Sequence, residues 1–423
     1  MAIKLGSASI SKLYLGSNEI SKAYLGANEV FSSGDTTSFI TTWRTTTSNE
    51  SITIPTTGSG YNYNITTSDG QTYSGISGGK TITFATAGDY DVSISGDFPR
   101  IYFNNGGDRT KLIDIKQWGN IVWSSFQNAF FGCSNLTGSF TDAPNLTNVT
   151  SLYLAFSGAI NFNGDTSFWN TSNVTSMFGT FYQASSFNKP LNNWDTSNVT
   201  NMFGMFWGAT IFNQDIYSWD VSNVTNMERM FHQTAFNKPL NNWNVSNVIT
   251  MYRMFNQSSF DHPLNSWDVS NVRNMVEMFS STPFDHPLNN WDVSNVINIS
   301  NMFNGSPFNQ DIGSWDVSNV TNMFGMFYQD NSFNQDISDW DITNITDFRF
   351  FATSVTFSTS NYDAILEDWE DTLQATFPNG AGYLPSITID FGNSEYTGGG
   401  AAATARASLV SNFNWTITDG GIA

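Results

Sequence analysis

Between residues 118 and 355, apolar and polar positions recur with a period of 24 or 25 residues. Each unit begins with tryptophan and reads W-D-V-S-N-V-T-N-M-x-x-M-F, and a second phenylalanine precedes the next tryptophan. The clearest units start at Trp169, Trp194, Trp219, Trp243, Trp267, Trp291, Trp315 and Trp340. Two less regular units come before them, starting at Trp118 and Pro144. A period this strict predicts structural repeats stacked on one another.

The unit from 219 to 242 shows which positions of a repeat form the core. Its recurring apolar residues are Val221, Val224, Met227, Met230, Phe231, Phe236 and Leu240. The spacing over VSNVTNM predicts one short strand per repeat, and MERMF predicts a tight helical or 3₁₀ turn after it. We therefore predict a mainly β solenoid of about ten coils, in which stacked strands form a parallel sheet with a rise of about 4.8 Å per coil.

Asparagine occupies fixed positions between the apolar ones, at Asn223, Asn226, Asn237 and Asn241 in the same unit. An asparagine amide can bond the backbone of an adjacent coil and tolerates turn conformations. We predict that these residues form a structural ladder, repeated once per coil.

The segment FNKPLNNWDTSNVTNMFGMF and its neighbours resemble the BspA-like leucine-rich-repeat surface proteins, in which methionine, phenylalanine and tryptophan replace most leucines. The resemblance covers residues 118–355 and implies a leucine-rich-repeat-like solenoid. NYDAILEDWEDTL, AAATARASL and WTITDGG resemble the tail that closes such arrays. The helical spacing of Tyr362, Leu366, Trp369 and Leu373 and a last strand from Trp415 to Thr418 agree with an α/β cap over residues 356–423.

Residues 39–117 carry alternating runs such as SITIP, YNYNIT and TITFAT, separated by turn-forming residues. This pattern predicts a small antiparallel β-sandwich. The segment FATAGDYDVSI resembles the corresponding strand of immunoglobulin-like PKD domains. The turn TSDG, from Thr67 to Gly70, departs from the pattern of those domains.

The first 31 residues contain two consecutive decapeptides, ISKLYLGSNE and ISKAYLGANE. Their apolar residues are too few to form a core alone, so we predict that residues 1–31 anchor the chain to a partner protein. The candidate anchor residues are Ile10, Leu13, Tyr14, Leu15, Ile20, Tyr24 and Leu25. The decapeptide resembles N-termini of bacteriophage virion proteins, fibres especially, which implies a virion structural protein as the partner. Residues 32–38 are predicted to be a hinge.

Charge and composition restrict the function classes. Lysine and arginine total 16 against 36 aspartates and glutamates, a net charge of −20, so a nucleic-acid partner is not expected. The chain has no continuous apolar segment long enough to span a membrane and no signal-peptide pattern, so we expect neither membrane insertion nor export by a signal peptide. One cysteine, Cys133, and three histidines leave little material for catalysis, and no cofactor motif occurs.

Two columns of titratable residues could carry chemistry. His262 and His286 stand 24 residues apart, beside Asp261 and Asp285, and could hold a divalent metal ion, but lysine or glutamine fills the same slot in other repeats. The aspartates after the tryptophans could form an acidic column, but asparagine replaces them twice, which a turn role explains. We predict no metal, no cofactor and no enzymatic activity.

A variable, often aromatic position follows each M-x-x-M-F segment, and a neighbouring position varies in the same way. Our candidate receptor-binding residues are Tyr182, Trp207, His232, Tyr252 and Tyr328. Aromatic rings beside asparagines suit sugar rings or a protein epitope. Partial burial under the adjacent loop is the alternative explanation.

These observations predict a phage virion appendage that attaches through residues 1–31 and presents the repeats to a glycan or protein of the host surface. Such a protein would be assembled in the host cytoplasm, in several copies on a symmetric particle. The alternative is a BspA-like adhesin at a bacterial cell surface, which binds host or matrix glycan or protein. The missing export signal and the decapeptides favour the phage virion appendage over the cell-surface adhesin.

Overall fold

A computed structural model of the chain describes residues 35–423 completely and, before residue 35, only the backbone of six short strands. These strands are β1 (Lys4–Leu5), β2 (Ala8–Ser9), β3 (Leu13–Leu15), β4 (Asn18–Ile20), β5 (Lys22–Leu25) and β6 (Asn28–Ser32). They form three antiparallel pairs, each made of two consecutive strands. Six of the seven predicted anchor residues lie in these strands, whereas Ile10 lies outside the described residues.

Seven strands follow and form the β domain, residues 39–117. They are β7 (Phe39–Thr45), β8 (Glu50–Ile54), β9 (Asn62–Thr67), β10 (Thr72–Ile76), β11 (Lys80–Phe84), β12 (Gly88–Asp97) and β13 (Leu112–Gln117). Five of them pair antiparallel in the order β10-β9-β12-β7-β13, and β11 pairs with β8 in a separate sheet. Strand β9 alternates strictly between exposed and buried positions, which turns Tyr63 and Ile65 toward the core of the domain.

The core of the β domain continues into the first repeat. Strand β13 leads directly into Trp118, whose ring stacks on that of Phe39 with 5.5 Å between centroids. The backbone of the first repeat also pairs with β13, because the N–H of Thr137 donates to the carbonyl oxygen of Ile113 at 2.9 Å. The β domain therefore packs on the first repeat and covers that end of the repeat region.

Residues 37 and 38, which we assigned to the hinge, are bound to this junction. The N–H of Asn120 donates to the carbonyl oxygen of Thr37 at 2.7 Å. Gln117 Nε2 donates to the carbonyl oxygen of Ser38 at the same distance, and Ser38 is buried. This part of the connection is consequently fixed to the β domain.

The fully described stretch from 118 to 358 contains neither a helix nor a strand. Each repeat meets the next through one isolated parallel bridge, such as Asn201 with Asn226. Around this bridge, alternate N–H groups donate to carbonyl oxygens of the following repeat, for example Gly204 to Glu228 at 2.8 Å and Phe206 to Met230 at 3.0 Å. The repeats are thus joined by a column of hydrogen bonds between turns.

The predicted fold class, a mainly β, leucine-rich-repeat-like solenoid with a parallel sheet, is therefore wrong. Each repeat contains two residues with left-handed φ values, such as Gly204 at 54° and Gly208 at 73°, and these interrupt any extended segment. Successive i to i−3 hydrogen bonds, such as Met205 to Met202, close tight turns at the same place. The strands that do exist lie in small, separate sheets, mostly antiparallel, outside the repeats.

The prediction of which apolar positions of a repeat are buried is confirmed. All seven apolar positions named for the unit 219–242 are at most 1% exposed. Ring stacking organises this core: Phe206 lies 5.9 Å from Phe181 in the preceding repeat and 5.9 Å from Phe231 in the following one, nearly parallel to both. Within its own repeat, Phe206 stacks on Phe212 at 3.8 Å. Two parallel columns of phenylalanine rings therefore run through successive repeats.

Polar side chains also join the repeats, and the predicted asparagine ladder is confirmed for Asn223 and Asn237, whereas Asn226 Oδ1 accepts a hydrogen bond from the N–H of Glu228 within its own repeat. Asn223 Nδ2 donates to the carbonyl oxygen of Ser197 in the preceding repeat at 2.7 Å, and its counterparts in other repeats do the same. The tryptophans form a second ladder, in which Trp219 Nε1 donates to the carbonyl oxygen of Leu191 at 2.9 Å. From Trp194 to Trp340, each indole of this ladder thereby satisfies its one donor, whereas the buried Nε1 groups of Trp118, Trp123 and Trp169 have no partner among the described residues.

The C-terminal segment packs on the last repeat. It contains α1 (Thr359–Thr376), a 3₁₀ turn (Pro378–Gly380), β14 (Thr388–Asp390), β15 (Glu395–Tyr396), α2 (Ala401–Ser411), β16 (Thr416–Thr418) and β17 (Gly421–Ile422). Strands β14 and β16 pair in parallel, as do β15 and β17. Trp369 of α1 extends the indole ladder, because its Nε1 donates to the carbonyl oxygen of Ile337 at 3.1 Å.

Two substitutions in one repeat test the role of the ring columns. Phe255→Ala removes a fully buried ring that stacks on Phe231 and Phe279, and should lower the free energy of unfolding by about 3 to 5 kcal/mol. Gln257→Ala, two residues on and exposed, should change it by less than about 0.5 kcal/mol. Urea titrations measure both values, and equal destabilisation by the two variants would contradict the stacking account.

Candidate functional site

The left-handed residues of the repeats lie in two columns, and the first of these borders the candidate binding residues. Its members are Asn128, Leu154, Gly179, Gly204, Arg229, Arg253, Glu277, Asn301, Gly325 and Phe350, with φ between 50° and 60°. Glycine adopts this conformation without strain, whereas other residues adopt it at a cost of about 1 kcal/mol or more. Seven of the ten repeats nevertheless carry a side chain here. We call the side of the repeats that these residues and their neighbours form the variable face.

A row of stacked aromatic rings begins the variable face. Tyr153 stacks on Phe178 with 4.7 Å between ring centroids and 21° between ring planes. Phe178 stacks on Phe203 at 4.5 Å and 7°. Tyr153 is 37% exposed, and the two phenylalanines are partly exposed. Three successive repeats thus present a continuous aromatic strip to solvent.

An arginine side chain continues this strip into the next repeat. The guanidinium carbon of Arg229 lies 4.6 Å from the ring centroid of Trp207, 4.9 Å from that of Tyr252 and 5.9 Å from that of Phe203. Tyr182 in turn meets Trp207 edge to face at 4.8 Å. The result is an aromatic cage around one cation, an arrangement that cation–π attraction stabilises.

The following repeats replace aromatic rings with an ion pair. Arg253 binds Glu277 through two hydrogen bonds of 2.8 and 2.7 Å, and the same carboxylate accepts a 3.2 Å hydrogen bond from Asn256 Nδ2. This bidentate pairing raises the pKa of Arg253. The side chains of this part of the face are therefore already engaged with one another.

His232 does not reach the surface, because it is only 6% exposed. Its Nδ1 lies 2.8 Å from the carbonyl oxygen of Asn256, and burial lowers the pKa of the imidazole, as do the nearby Arg253 and Arg229. The ring is consequently neutral at pH 7, with Nδ1–H donating. The imidazole packs against the ring of Trp207, with 5.3 Å between the two ring centroids.

A second aromatic group lies further along the variable face, around Tyr328. Tyr328, Phe324 and Phe350 line a cleft of about 260 Å³ together with Asn301 and Asn304. Phe350 stands edge-on to both rings, at 5.5 Å from Phe324 and 6.0 Å from Tyr328. Half of Phe350 is exposed, although its backbone has a left-handed φ of 60°.

The structure therefore brings four of the five predicted binding residues together and separates the fifth. Trp207 and Tyr252 contact Arg229, and Tyr182 and His232 pack against Trp207, whereas Tyr328 belongs to the cleft. The sequence pattern did not single out Arg229 or Phe350. Their signal was present, since each is a large side chain at a position where other repeats carry glycine.

The titratable columns have structural roles. Asp195 Oδ1 accepts hydrogen bonds from the N–H and the hydroxyl of Ser197, and Asn170 does the same for Ser172, so the turn interpretation is confirmed. His286 Nε2 lies 3.0 Å from Asp261 Oδ1, close enough for an ion pair when protonated but not aligned as a hydrogen bond. Within the described residues, no three histidine, cysteine or acidic side chains are grouped as a metal site would require.

A larger groove, of about 710 Å³, lies between the β domain and the first repeats. Four of its five charged side chains form two ion pairs, and the fifth, Asp114, accepts hydrogen bonds from Thr137 and Ser139. Arg44 binds Asp89 at 2.7 Å, and Lys116 binds Asp91 at 2.8 Å. The groove therefore offers few free polar groups to a ligand, in contrast to the variable face.

The repeats match a protein family described as Mycoplasma protein of unknown function, DUF285, over residues 124–235, 216–307 and 282–376. The chain belongs to this family. The matched residues include every repeat that contributes to the Arg229 cage and the Tyr328 cleft, but not the β domain or residues 1–31. The resemblances of those two segments to PKD domains and to phage proteins are thus without support from the comparison. No curated protein matches the chain.

The structure describes no helix that is both long and apolar enough to cross a lipid bilayer.

A buried carboxyl group lies next to the Tyr328 cleft. Asp330 is fully buried; its Oδ1 accepts N–H donors from Ser332 and Phe333, while its Oδ2 has no hydrogen-bond partner. Burial raises the pKa of this carboxyl to about 7. In other repeats the position holds Ala184, Ala209, Thr234, Ser258, Thr282 or Ser306, none of which can ionise.

Asp330 should make stability fall as the pH rises. The folded protein keeps a proton that the unfolded chain releases near pH 4, so stability is lost between about pH 4 and pH 7. Asp330→Asn should remove this loss and stabilise the protein by up to about 4 kcal/mol at pH 8, but by little at pH 4. Asp316→Asn, at an exposed turn position where Asn170 and Asn244 occur naturally, is the control. Thermal unfolding at several pH values measures the difference, and a gain that is independent of pH would contradict the assignment.

Proposed function

We propose that this chain is a non-enzymatic recognition protein whose variable face binds a glycan or protein on a host surface. The aromatic strip with the Arg229 cage supports this proposal most directly. Folding alone does not require such a strip, because the cores of these repeats are already filled by the buried phenylalanine columns. Partly exposed aromatic groups bordered by polar side chains are typical of binding surfaces.

The absence of enzymatic activity is part of the same proposal. Asp195 and its counterparts after the tryptophans are used as turn caps, and Glu277 is bound to Arg253. Asp330 has a pKa suited to acid–base chemistry, but it is buried away from solvent beside an aromatic cleft. Catalysis would need a second titratable group within reach of a substrate.

We infer that residues 1–31 attach the protein to a phage particle in several copies. The decapeptide repeats and the three consecutive strand pairs support this inference, because isolated two-stranded pairs need a partner surface for stability. A rigid β domain and repeat region would then hold the variable face away from the particle. The protein would be located on the virion.

A second candidate function is adhesion at a bacterial cell surface. The family match favours it, because that family is described as a Mycoplasma protein, that is, a protein of a cellular organism. The variable face would serve the same role in both cases, and only the attachment of residues 1–31 would differ.

Replacement of Tyr182, Trp207 and Tyr328 by alanine tests the binding proposal. Because buried or caged aromatic anchors dominate interface energies, we expect binding to host cells to weaken at least tenfold, with the protein still folded. The matched control replaces Ile211, Tyr217 and Ile249, which are 50%, 39% and 48% exposed and do not belong to the variable face. Cell binding by flow cytometry and circular dichroism provide the readouts. Unchanged binding by the first variant would rule out the variable face as the receptor site.

Deletion of residues 1–31 tests the attachment proposal. The junction at Thr37 and Ser38 is intact in such a protein, so its thermal midpoint should stay within about 3 °C of that of the full chain. Incorporation into particles should be lost. Particles that take up the shortened protein at the normal copy number would contradict the anchor role, and retention at a bacterial envelope would favour the second candidate function.

A further inference from the structure

Arg229, unlike four other arginines of the protein, has no anionic partner among the described residues. Arg44, Arg253, Arg349 and Arg406 each bind a carboxylate at 2.6 to 2.8 Å. The described contacts of the Arg229 guanidinium consist of three aromatic rings and a long hydrogen bond of 3.5 Å to the hydroxyl of Tyr252. Its Nε is buried without a hydrogen-bond partner.

A guanidinium in this state has binding capacity that the fold does not use. Its planar group carries five N–H donors suited to bidentate contact with a carboxylate. The surrounding rings of Trp207 and Tyr252 exclude water, which strengthens an ionic hydrogen bond formed there. The nearby carboxylate of Glu228 accepts a hydrogen bond from Thr250 at 2.9 Å instead of pairing with Arg229.

The position of Arg229 supports a role outside the fold. Its φ is 54°, and the two preceding repeats carry Gly179 and Gly204 there with φ of 55° and 54°. A glycine would therefore fit the backbone without strain, and nothing in the core depends on the arginine. An arginine here keeps backbone strain that a glycine would avoid, which supports a use of its side chain in binding a ligand.

We propose that the Arg229 cage binds the carboxylate of an acidic sugar residue, such as a uronic acid, within a glycan. This proposal rests on the proposed function and specifies the ligand class for the same face. The carboxylate would receive two N–H donors from Arg229, and the apolar face of the sugar ring would lie against Trp207 or Tyr252. The neighbouring amides of Gln233 and Gln257, joined at 2.9 Å, are available to sugar hydroxyl groups.

The charge of the whole chain favours an acidic sugar over an acidic peptide. A net charge of −20 repels a partner that carries many negative charges. One arginine can compensate a single carboxylate in an otherwise neutral ligand, but the variable face offers no second free cation near it, because Arg253 is paired with Glu277. Aromatic rings beside side-chain amides also match the alternating apolar and hydroxyl surfaces of sugars.

The test uses two probes that differ only in the carboxylate: a hexasaccharide containing a single glucuronic acid, and the same hexasaccharide with that carboxyl group reduced to an alcohol. Calorimetry with the full-length protein should show at least tenfold tighter binding of the acidic probe at low salt. This preference should shrink as the ionic strength rises, since salt screens an ionic contact.

Arg229→Gly should abolish the preference, so that both probes bind equally weakly, while the thermal midpoint stays within about 3 °C because glycine suits the left-handed position. Arg229→Lys should keep a reduced preference, since lysine retains the charge but not the fork of donors. Asn49→Gly, at an exposed left-handed position of the turn between β7 and β8, outside the repeats, is the control and should bind both probes as the unmodified protein does.

Three outcomes would overturn the proposal: equal or absent binding of the two probes by the unmodified protein, an unchanged preference in Arg229→Gly, or tighter binding of a hexaglutamate peptide than of the acidic hexasaccharide. None of these would by itself refute host recognition, which the alanine replacements of Tyr182, Trp207 and Tyr328 test separately on whole cells. Loss of cell binding there, with no preference here, would assign the face to a neutral or proteinaceous ligand.

Discussion

Ring-on-ring stacking between successive repeats is the contact on which the rest of the structure depends. The phenylalanine columns represented by Phe206 and Phe212 set the distance between repeats at about 6 Å between rings. At that distance the indoles from Trp194 to Trp340 each reach a carbonyl oxygen 27 or 28 residues earlier in the chain, and the amides of Asn223 and its counterparts reach a carbonyl oxygen of the preceding repeat. The hydrogen bonds alone would be weak at an exposed edge. They persist because the stacked rings hold the backbones in register and keep water from the buried donors.

The core of the repeats could be predicted from the sequence, but their backbone conformation could not. Apolar periodicity identifies buried positions such as Met227 and Phe231 because burial requires only a side chain of the right kind at the right spacing. A parallel strand and a column of tight turns bury the same positions, so the pattern does not separate them. What decides between them is the left-handed residue, which is glycine in Gly204 but arginine in Arg229. In a single sequence, the one sign that Arg229 adopts this conformation is that other repeats carry glycine at the same position.

The candidate site shows the same division. Aromatic residues at a variable position, such as Trp207 and Tyr252, indicate a binding surface, and the structure places these two residues around the same arginine. The pattern equally selected His232, which is buried, because the identity of a side chain does not reveal whether a neighbouring repeat covers it. That the Arg229 guanidinium has no carboxylate partner among the described residues could not be predicted from the sequence. It depends on which side chains of adjacent repeats contact one another. Arg253, at the same position one repeat later, is paired with Glu277, so an arginine at this position can be with or without a carboxylate partner.

The internal repeats present the same rings and the same hydrogen-bonding groups to both neighbours, and this has a consequence for how such a protein can change. Gain or loss of one whole repeat between the Arg229 cage and the Tyr328 cleft would leave every interior contact intact. It would alter only the separation of the two aromatic groups, in steps of one repeat. Recombination within the gene could therefore change the distance between the Arg229 cage and the Tyr328 cleft by whole repeats. The β domain and the C-terminal helices would still cover the two ends of the repeat region.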